Sequence, residues 1–128
     1  KADQNINYLG YVSGQEKEKL LKKSDILIIP SEWYENNPLV ILEAFQYGLP
    51  VIGSDIGGIS ELIDDNLNGF LYEMGSSLEL AEKIDYICNN FEILNSLKIN
   101  ALEKGKKYTL NQMVNNYEKL FFDLLKGY

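Results

Sequence analysis

A strand, a helix and a second strand are encoded in succession by residues 26–52, ILIIPSEWYENNPLVILEAFQYGLPVI. The runs 26–29 and 51–52 are continuously apolar, which is typical of short strands buried on both faces of a sheet. The sequence between them has the pattern of a helix over 38–47. This order of elements predicts a parallel sheet whose strands are joined by right-handed helical crossovers.

The ends of this helix are well specified by its flanking residues. Asn37 can act as the N-cap, Pro38 suits the first helical position, and Gly48 suits a left-handed residue after the last turn. The body, 39–45, is apolar nearly all the way round except for Glu43, so the helix is expected to be buried. A carboxylate in such a helix needs a partner.

Similar patterns extend along the rest of the chain. Apolar runs at 6–9 and 70–72 raise the predicted number of strands to about four. Further helices are predicted over 15–23, 58–63, 78–90, 91–107 and 110–126. The predicted fold is α/β: a Rossmann-like parallel sheet with flanking helices and a helical C-terminus, in one partial domain covering residues 1–128.

The last helix has the clearest periodicity. Thr109 can cap it, and apolar residues then follow at helical spacing: Leu110, Met113, Val114, Tyr117, Leu120, Phe121, Leu124 and Leu125. We expect this stripe to pack on the core of the chain itself. The alternative is that it docks against another domain.

The charged residues limit the possible chemistry. All 12 basic residues are lysines, no histidine occurs, and the net charge is −7. Catalytic triads and metal sites that use histidine are therefore excluded within this chain. No lysine lies between Lys23 and Lys83, which argues against nucleic acid as a partner. A diphosphate bound to this acidic segment would need cations from elsewhere or a metal ion.

The compartment is inferred from two features. Cys88 is the single cysteine and is expected to be a core residue without a disulfide. The longest apolar run, 26–29, is far too short to cross a bilayer, and no apolar signal segment follows Lys1. A cytoplasmic location is therefore expected.

Two glutamates mark a candidate binding site near the helix start. Glu35 precedes the cap and Glu43 lies in the helix, about 10 Å away at ~1.5 Å per residue. Two carboxylates at that separation suit the two ends of an extended polar ligand, with a phosphate on the first-turn amides between them. The other interpretation is that Glu43 bonds a backbone group or a tyrosine and that Glu35 is a solvated loop acid.

Two further loops have simpler interpretations. The segment 54–58, with Gly57 and Gly58, favours a tight strand-to-helix connection over a ligand cradle. The segment 64–69 is acidic but lacks the spacing of a calcium loop, and it is predicted to be a turn.

The segment 30–44 closely resembles the Glu-x7-Glu signature of family 4, or group 1, retaining glycosyltransferases, with Glu35 and Glu43 at the two acidic positions. Downstream pieces agree in order and spacing: 48–52, 55–58 with Glu61, 68–71, and Leu80-Ala81. The resemblance covers about residues 6–125. It implies the C-terminal, donor-binding half of a GT-B fold, in which two Rossmann-like halves face each other.

The resemblance also implies roles for individual residues. Glu43 would bind the ribose hydroxyls of a nucleotide-sugar donor. Glu35, at the catalytic position, would bind the hydroxyls of the transferred sugar. Amides near Asn37, Leu39 and Val40 would meet the sugar and the diphosphate.

The implied activity is transfer of a sugar from a nucleotide-diphosphate sugar with retention, in polysaccharide or glycoconjugate biosynthesis. Tyr11 and Val12 would lie beside the base. Family members usually work without a bound metal or other cofactor. The leaving phosphate takes the acceptor's proton, so no side chain of this chain needs to act as the general base. The arginine and lysine that bind the diphosphate in the family, and the acceptor-binding N-terminal half, lie outside this sequence. The chain alone is therefore expected to bind donor without transferring it, and the longer protein could be peripheral to a membrane.

Two other functions remain open on the sequence. One is a non-catalytic module that binds nucleotide sugars. The other is a nucleotide-sugar epimerase of similar two-domain architecture, which the Glu-x7-Glu segment fits less well.

Overall fold

The structure is a computed structural model that describes residues 5–127. In this part of the chain a parallel sheet has the strand order β1-β2-β3. Its strands are β1 Leu27–Ile29, β2 Val51–Ser54 and β3 Gly69–Tyr72. The predicted α/β class with a parallel sheet is confirmed, with three strands rather than about four.

Six helices complete the described part of the chain. They are α1 Gly14–Lys23, α2 Leu39–Gln46, α3 Gly57–Leu62, α4 Ser77–Cys88, α5 Phe91–Gly105 and α6 Leu110–Lys126. All six were predicted, with ends that differ by one or two residues. Across residues 5–127, no helix combines the length and the apolar composition that crossing a membrane requires.

Helix α2 begins one residue later than predicted. Its N-cap is Pro38, not Asn37, and Pro38 has an extended backbone with φ −69° and ψ 99°. Because a proline has no side-chain acceptor, it cannot cap the first turn. The C-terminal end is as expected: Gly48 has φ +66°, and its amide donates to the Phe45 carbonyl at 3.0 Å. The Leu49 amide donates to the Ala44 carbonyl at 2.9 Å, which completes a Schellman motif.

The core lies on both faces of the sheet. Val51 belongs to a cluster that joins α2, α3 and Ala101 of α5. Its neighbour Ile52 points to the opposite face and packs with Phe70, Ile87 and Leu97. The continuous apolar pattern of β2 therefore reflects burial on both sides.

The predicted strand at 6–9 is wrong. These residues are described, and they form neither a strand nor a helix. Tyr8 is 96% exposed, and Ile6 and Leu9 are also exposed. An apolar run forms a strand only where a neighbouring backbone offers ladder hydrogen bonds, and in the described part of the chain β1 pairs only with β2.

The predicted burial of α6 on the chain's own core is also wrong. The Thr109 cap is confirmed, because its hydroxyl accepts from the Gln112 amide at 3.2 Å, but no residue described in this helix is buried. The reason is that α2, α3, α4 and α5 already cover the two faces of the sheet. Docking against another domain stays a hypothesis for this face.

Two smaller predictions have opposite outcomes. Cys88 is exposed, so its prediction as a core residue is wrong, and Ile87 fills the core position beside it. The acidic segment 64–69 is a turn, as predicted. Within it Asn68 donates to the Asp64 carboxylate at 2.8 Å, and Lys104 pairs with the same carboxylate at 2.7 Å.

Candidate functional site

The loops that follow the strands meet at the carboxyl edge of the sheet. The Ser54 hydroxyl, at the end of β2, donates to the Ser31 carbonyl in the loop after β1, at 2.6 Å. The Gly58 amide, in α3, donates to the Glu35 carbonyl at 2.7 Å. In open α/β sheets this edge is where ligands bind. The loop that carries Glu35 is thus fixed to both β2 and α3.

The glycine pair allows this loop to approach α3 closely. Gly57 has φ +52°, a left-handed conformation that favours glycine. A Cβ atom on Gly58 would lie 1.9 Å from the Asn36 carbonyl oxygen. The Gly58 amide is already bonded within the protein, so the geometry fits the tight connection that was favoured over a ligand cradle.

Glu35 combines a fixed backbone with an exposed side chain. Its carbonyl is held by Gly58, while one carboxylate oxygen accepts a long hydrogen bond, 3.5 Å, from the Ser31 hydroxyl. The residue is exposed at the carboxyl edge of the sheet. This arrangement presents a charged acceptor to solvent from a well-anchored loop.

Glu43 is half-buried and has a cationic partner. Lys17 Nζ lies 2.8 Å from Glu43 Oε1, with 38% and 37% of the two side chains exposed. The expectation that Glu43 needs a partner is confirmed, and the partner is a lysine rather than a backbone group or a tyrosine. A cation therefore reaches this segment from α1, although no lysine lies between Lys23 and Lys83 in sequence.

A cleft of about 620 Å³ opens beside Glu43, between α2 and α6. Three of the predicted site residues line it: Asn37, Leu39 and Glu43. The opposite wall is formed by α6, and it includes Met113, Tyr117 and Leu120. Among the described residues, the lining is therefore mixed, with apolar residues on both walls, one carboxylate, Glu43, and one cation, Lys107.

The remaining predicted residues lie apart from this cleft. Val40 is partly exposed on α2, and Tyr11 and Val12 lie in the irregular segment before α1, where Tyr11 is exposed. Neither these three nor Glu35 are among the described residues that line the cleft. The structure thus brings three predicted residues to one cavity and leaves the roles of all seven as predictions.

The N-terminus of α2 provides a partial positive charge next to these carboxylates. First-turn amides have no acceptor within a helix, and the helix dipole places positive potential there. In the described structure no side chain caps α2. The amides of Leu39 and Val40 are therefore suitably placed to attract an anionic group.

Three residues near the site or on α1 have shifted pKa values. Burial raises the pKa of Tyr72, at the end of β3, and the nearby Glu32 carboxylate raises it further. The hydrogen bond from Lys22 lowers the pKa of Glu18 and raises that of Lys22 on the exposed surface of α1. A tyrosine is already uncharged at neutral pH, and the upward shift keeps Tyr72 uncharged to higher pH.

Lys17 was missed by the sequence reasoning. It lies 26 positions before Glu43 and belongs to a run of lysines on an amphipathic helix. Nothing in local spacing separates it from the lysines around it. The weak signal available was the unpartnered carboxylate in an apolar helix, which indicates that a donor exists but not which one.

Comparison with known proteins agrees with this geometry. The family model "Glycosyl transferases group 1" matches residues 1–104. An uncharacterized glycosyltransferase of Methanocaldococcus jannaschii is 32% identical over 120 residues, which are 94% of this chain and 34% of that protein. A UDP-Gal:alpha-D-GlcNAc-diphosphoundecaprenol alpha-1,3-galactosyltransferase of Escherichia coli is 31% identical over 83% of this chain and 27% of its own length.

A solved structure has the same architecture. The crystal structure of Anabaena HepE in complex with UDP-glucose superposes with a TM-score of 0.76 and 28% identity, covering 82% of this chain and 28% of that chain. The chain thus spans about a third of the length of the curated relatives it matches. The family match over residues 1–104, most of the sequence, shows that this chain belongs to the group 1 glycosyltransferases.

Proposed function

We propose that this chain is the donor-binding part of an enzyme that transfers a hexosyl group from a UDP-sugar, with retention, in polysaccharide or glycoconjugate biosynthesis. The observation that carries the proposal is the position of Glu43, which lines a cleft close to the N-terminus of α2. The choice of UDP is supported by the E. coli relative, whose name includes UDP-Gal, and by HepE, which was solved with UDP-glucose.

The carboxylates of Glu43 and Glu35 bind different parts of the donor. Glu43 accepts hydrogen bonds from the ribose hydroxyls, since a carboxylate has two oxygens that can serve two adjacent hydroxyl groups. Glu35 accepts from hydroxyls of the transferred sugar, and its anchored backbone limits the freedom lost on binding. The support for this division is the resemblance to the family signature together with the exposure of both carboxylates.

The amides at the start of α2 and the loop before α1 bind the remaining parts of the donor. The diphosphate lies at the N-terminus of α2, near Asn37, Leu39 and Val40, where the helix dipole favours negative charge. Tyr11 and Val12, in the loop before α1, lie beside the base. These assignments rest on the family resemblance.

Transfer requires more than this chain supplies. We propose that an acceptor-binding N-terminal domain and further cations complete the active site, so that the chain alone binds donor but does not transfer it. No metal or other cofactor takes part in this scheme, in which the leaving phosphate accepts the proton. The location is cytoplasmic, in keeping with a lone, unpaired Cys88.

The substitution Glu43→Ala tests the donor site. Chemical-shift titration of the chain with UDP is expected to give a millimolar Kd, about −4 kcal/mol, because few cations face the diphosphate. Glu43→Ala is expected to weaken binding by about tenfold or more, since hydrogen bonds to a charged group contribute roughly 1.5–3 kcal/mol.

The matched control is Glu92→Ala. Glu92 is an exposed glutamate in the first turn of α5, so this variant makes the same charge change away from the site. It is expected to bind UDP as the wild type does. Equal affinity for UDP in the wild type and in Glu43→Ala would rule out the ribose assignment.

A further inference from the structure

We propose that Lys17 is a positioning residue for donor binding: it holds the Glu43 carboxylate in the orientation in which Glu43 accepts hydrogen bonds from the ribose. The inference deepens the proposed function and rests on it. Its basis is the ion pair of 2.8 Å between Lys17 Nζ and Glu43 Oε1, which joins two helices at the wall of the cleft.

A second contact links the same two helices. Lys22 Nζ lies 5.2 Å from the centroid of the Tyr47 ring, in cation–π geometry. Lys22 follows Lys17 by about one turn of α1, and Tyr47 follows Glu43 by about one turn of α2. Helix α1 therefore runs alongside α2 in the same direction, which brings Lys17 to the level of Glu43.

The pair has little part in core packing. In α1, Leu21 is the one described residue that is buried, and both Lys17 and Glu43 keep more than a third of their side chains exposed. An ion pair that is this exposed contributes little to the stability of a protein. Its more specific effect is on the conformation of Glu43.

The geometry leaves the carboxylate able to bind a ligand. An ionised carboxylate has about four lone-pair sites on its two oxygens. Lys17 occupies one lone-pair site of Oε1, so the other site of Oε1 and those of Oε2 remain for hydroxyl donors. A glutamate that is already ordered loses less conformational entropy when the ligand binds.

The direct test is a UDP titration of Lys17→Gln, followed by chemical shifts. We expect Kd for UDP to rise about fivefold, the factor that corresponds to a partly exposed ion pair. Lys17→Arg keeps the cation and is expected to retain affinity within about twofold of the wild type. Lys19→Gln makes the same charge change at an exposed position of α1, and it is expected to bind as the wild type does.

A double-mutant cycle separates positioning from a general effect on the fold. Lys17→Gln is expected to have no effect on UDP affinity when Glu43 is already alanine, because the carboxylate to be held is absent. A loss of affinity that persists in the Glu43→Ala background would instead mean that Lys17 supports α1 as a whole, and it would overturn the inference. Unfolding curves of each variant check that the chain remains folded.

The other outcomes are equally decisive. Tighter binding of UDP by Lys17→Gln would show that the lysine competes with the ligand for Glu43, and unchanged binding would show that it has no role. Either result, obtained with a wild type that binds UDP and a Glu43→Ala variant that binds it more weakly, overturns this inference and leaves the proposed function intact. A wild type that fails to bind UDP overturns both.

Discussion

Phe45→Ala is expected to lower the free energy of unfolding by about 3–5 kcal/mol, the range for deleting a buried aromatic ring. Phe45 lies in the middle of α2 and is fully buried. It belongs to the cluster between α2, α3 and the sheet. The other members of this cluster come from several elements, among them β2, α3 and α5, so the cavity left by the ring can collapse only in part. The measurement is urea denaturation followed by far-ultraviolet circular dichroism.

The matched control is Phe121→Ala, which deletes the same ring from α6. Phe121 is 59% exposed and lies near the Tyr117 ring, with a centroid separation of 6.4 Å. Surface substitutions of this kind change stability by about 0.5 kcal/mol or less, and the higher helix propensity of alanine offsets part of any loss. A comparable loss of stability in both variants would mean that α6 packs against the core, contrary to the structure.

Gly58→Ala is expected to destabilise the chain by about 1–3 kcal/mol and to weaken UDP binding in the same variant. The new Cβ would lie 1.9 Å from the Asn36 carbonyl oxygen and 2.9 Å from that of Glu35. Both neighbours are backbone atoms and cannot move aside as a side chain would. The loop that carries Glu35 must therefore shift, which displaces the carboxylate assigned to the transferred sugar.

The expected loss of stability in Gly58→Ala is opposite in sign to the change that helix propensity alone predicts. Alanine favours a helix over glycine by roughly 1 kcal/mol, and Gly58 lies in α3, so a gain in stability would follow if the position were open. Gly127→Ala is the control, because its Cβ would find its nearest neighbour, the Leu124 carbonyl oxygen, at 3.6 Å. Unchanged stability and unchanged UDP affinity in Gly58→Ala would show that the contact with Asn36 is easily relieved.

The elements of the fold that depend on local sequence were predicted well. The strand, helix and strand within 26–52 are present because apolar runs, a helix-stopping glycine and turn residues all act at short range. The segment 6–9 has a similar apolar run. A strand also requires a neighbouring strand with which to pair, and composition does not show whether one is present. Likewise, the periodicity of α6 shows which of its faces is apolar and cannot show what covers that face.

The candidate site was predictable to the extent that its residues lie close in sequence. Glu35 and Glu43 stand out because they flank a well-defined helix start. Lys17 could not be found in this way, since the pairing with Glu43 depends on how α1 lies against α2. The close approach of Gly58 to Asn36 could not be predicted from the sequence either. Two adjacent glycines occur in turns at least as often as at tight contacts.

The exposed apolar face of α6 has a thermodynamic consequence. Unfolding raises the heat capacity of a protein in proportion to the apolar surface that becomes hydrated, by about 12–15 cal/mol/K per residue on average. The stripe from Leu110 to Leu125 is already exposed in the folded chain, so it adds little to this change. The heat capacity increment of unfolding, measured by calorimetry on the monomer, is therefore expected to fall below the value that the length of the chain implies, and its stability curve to be correspondingly flat with temperature.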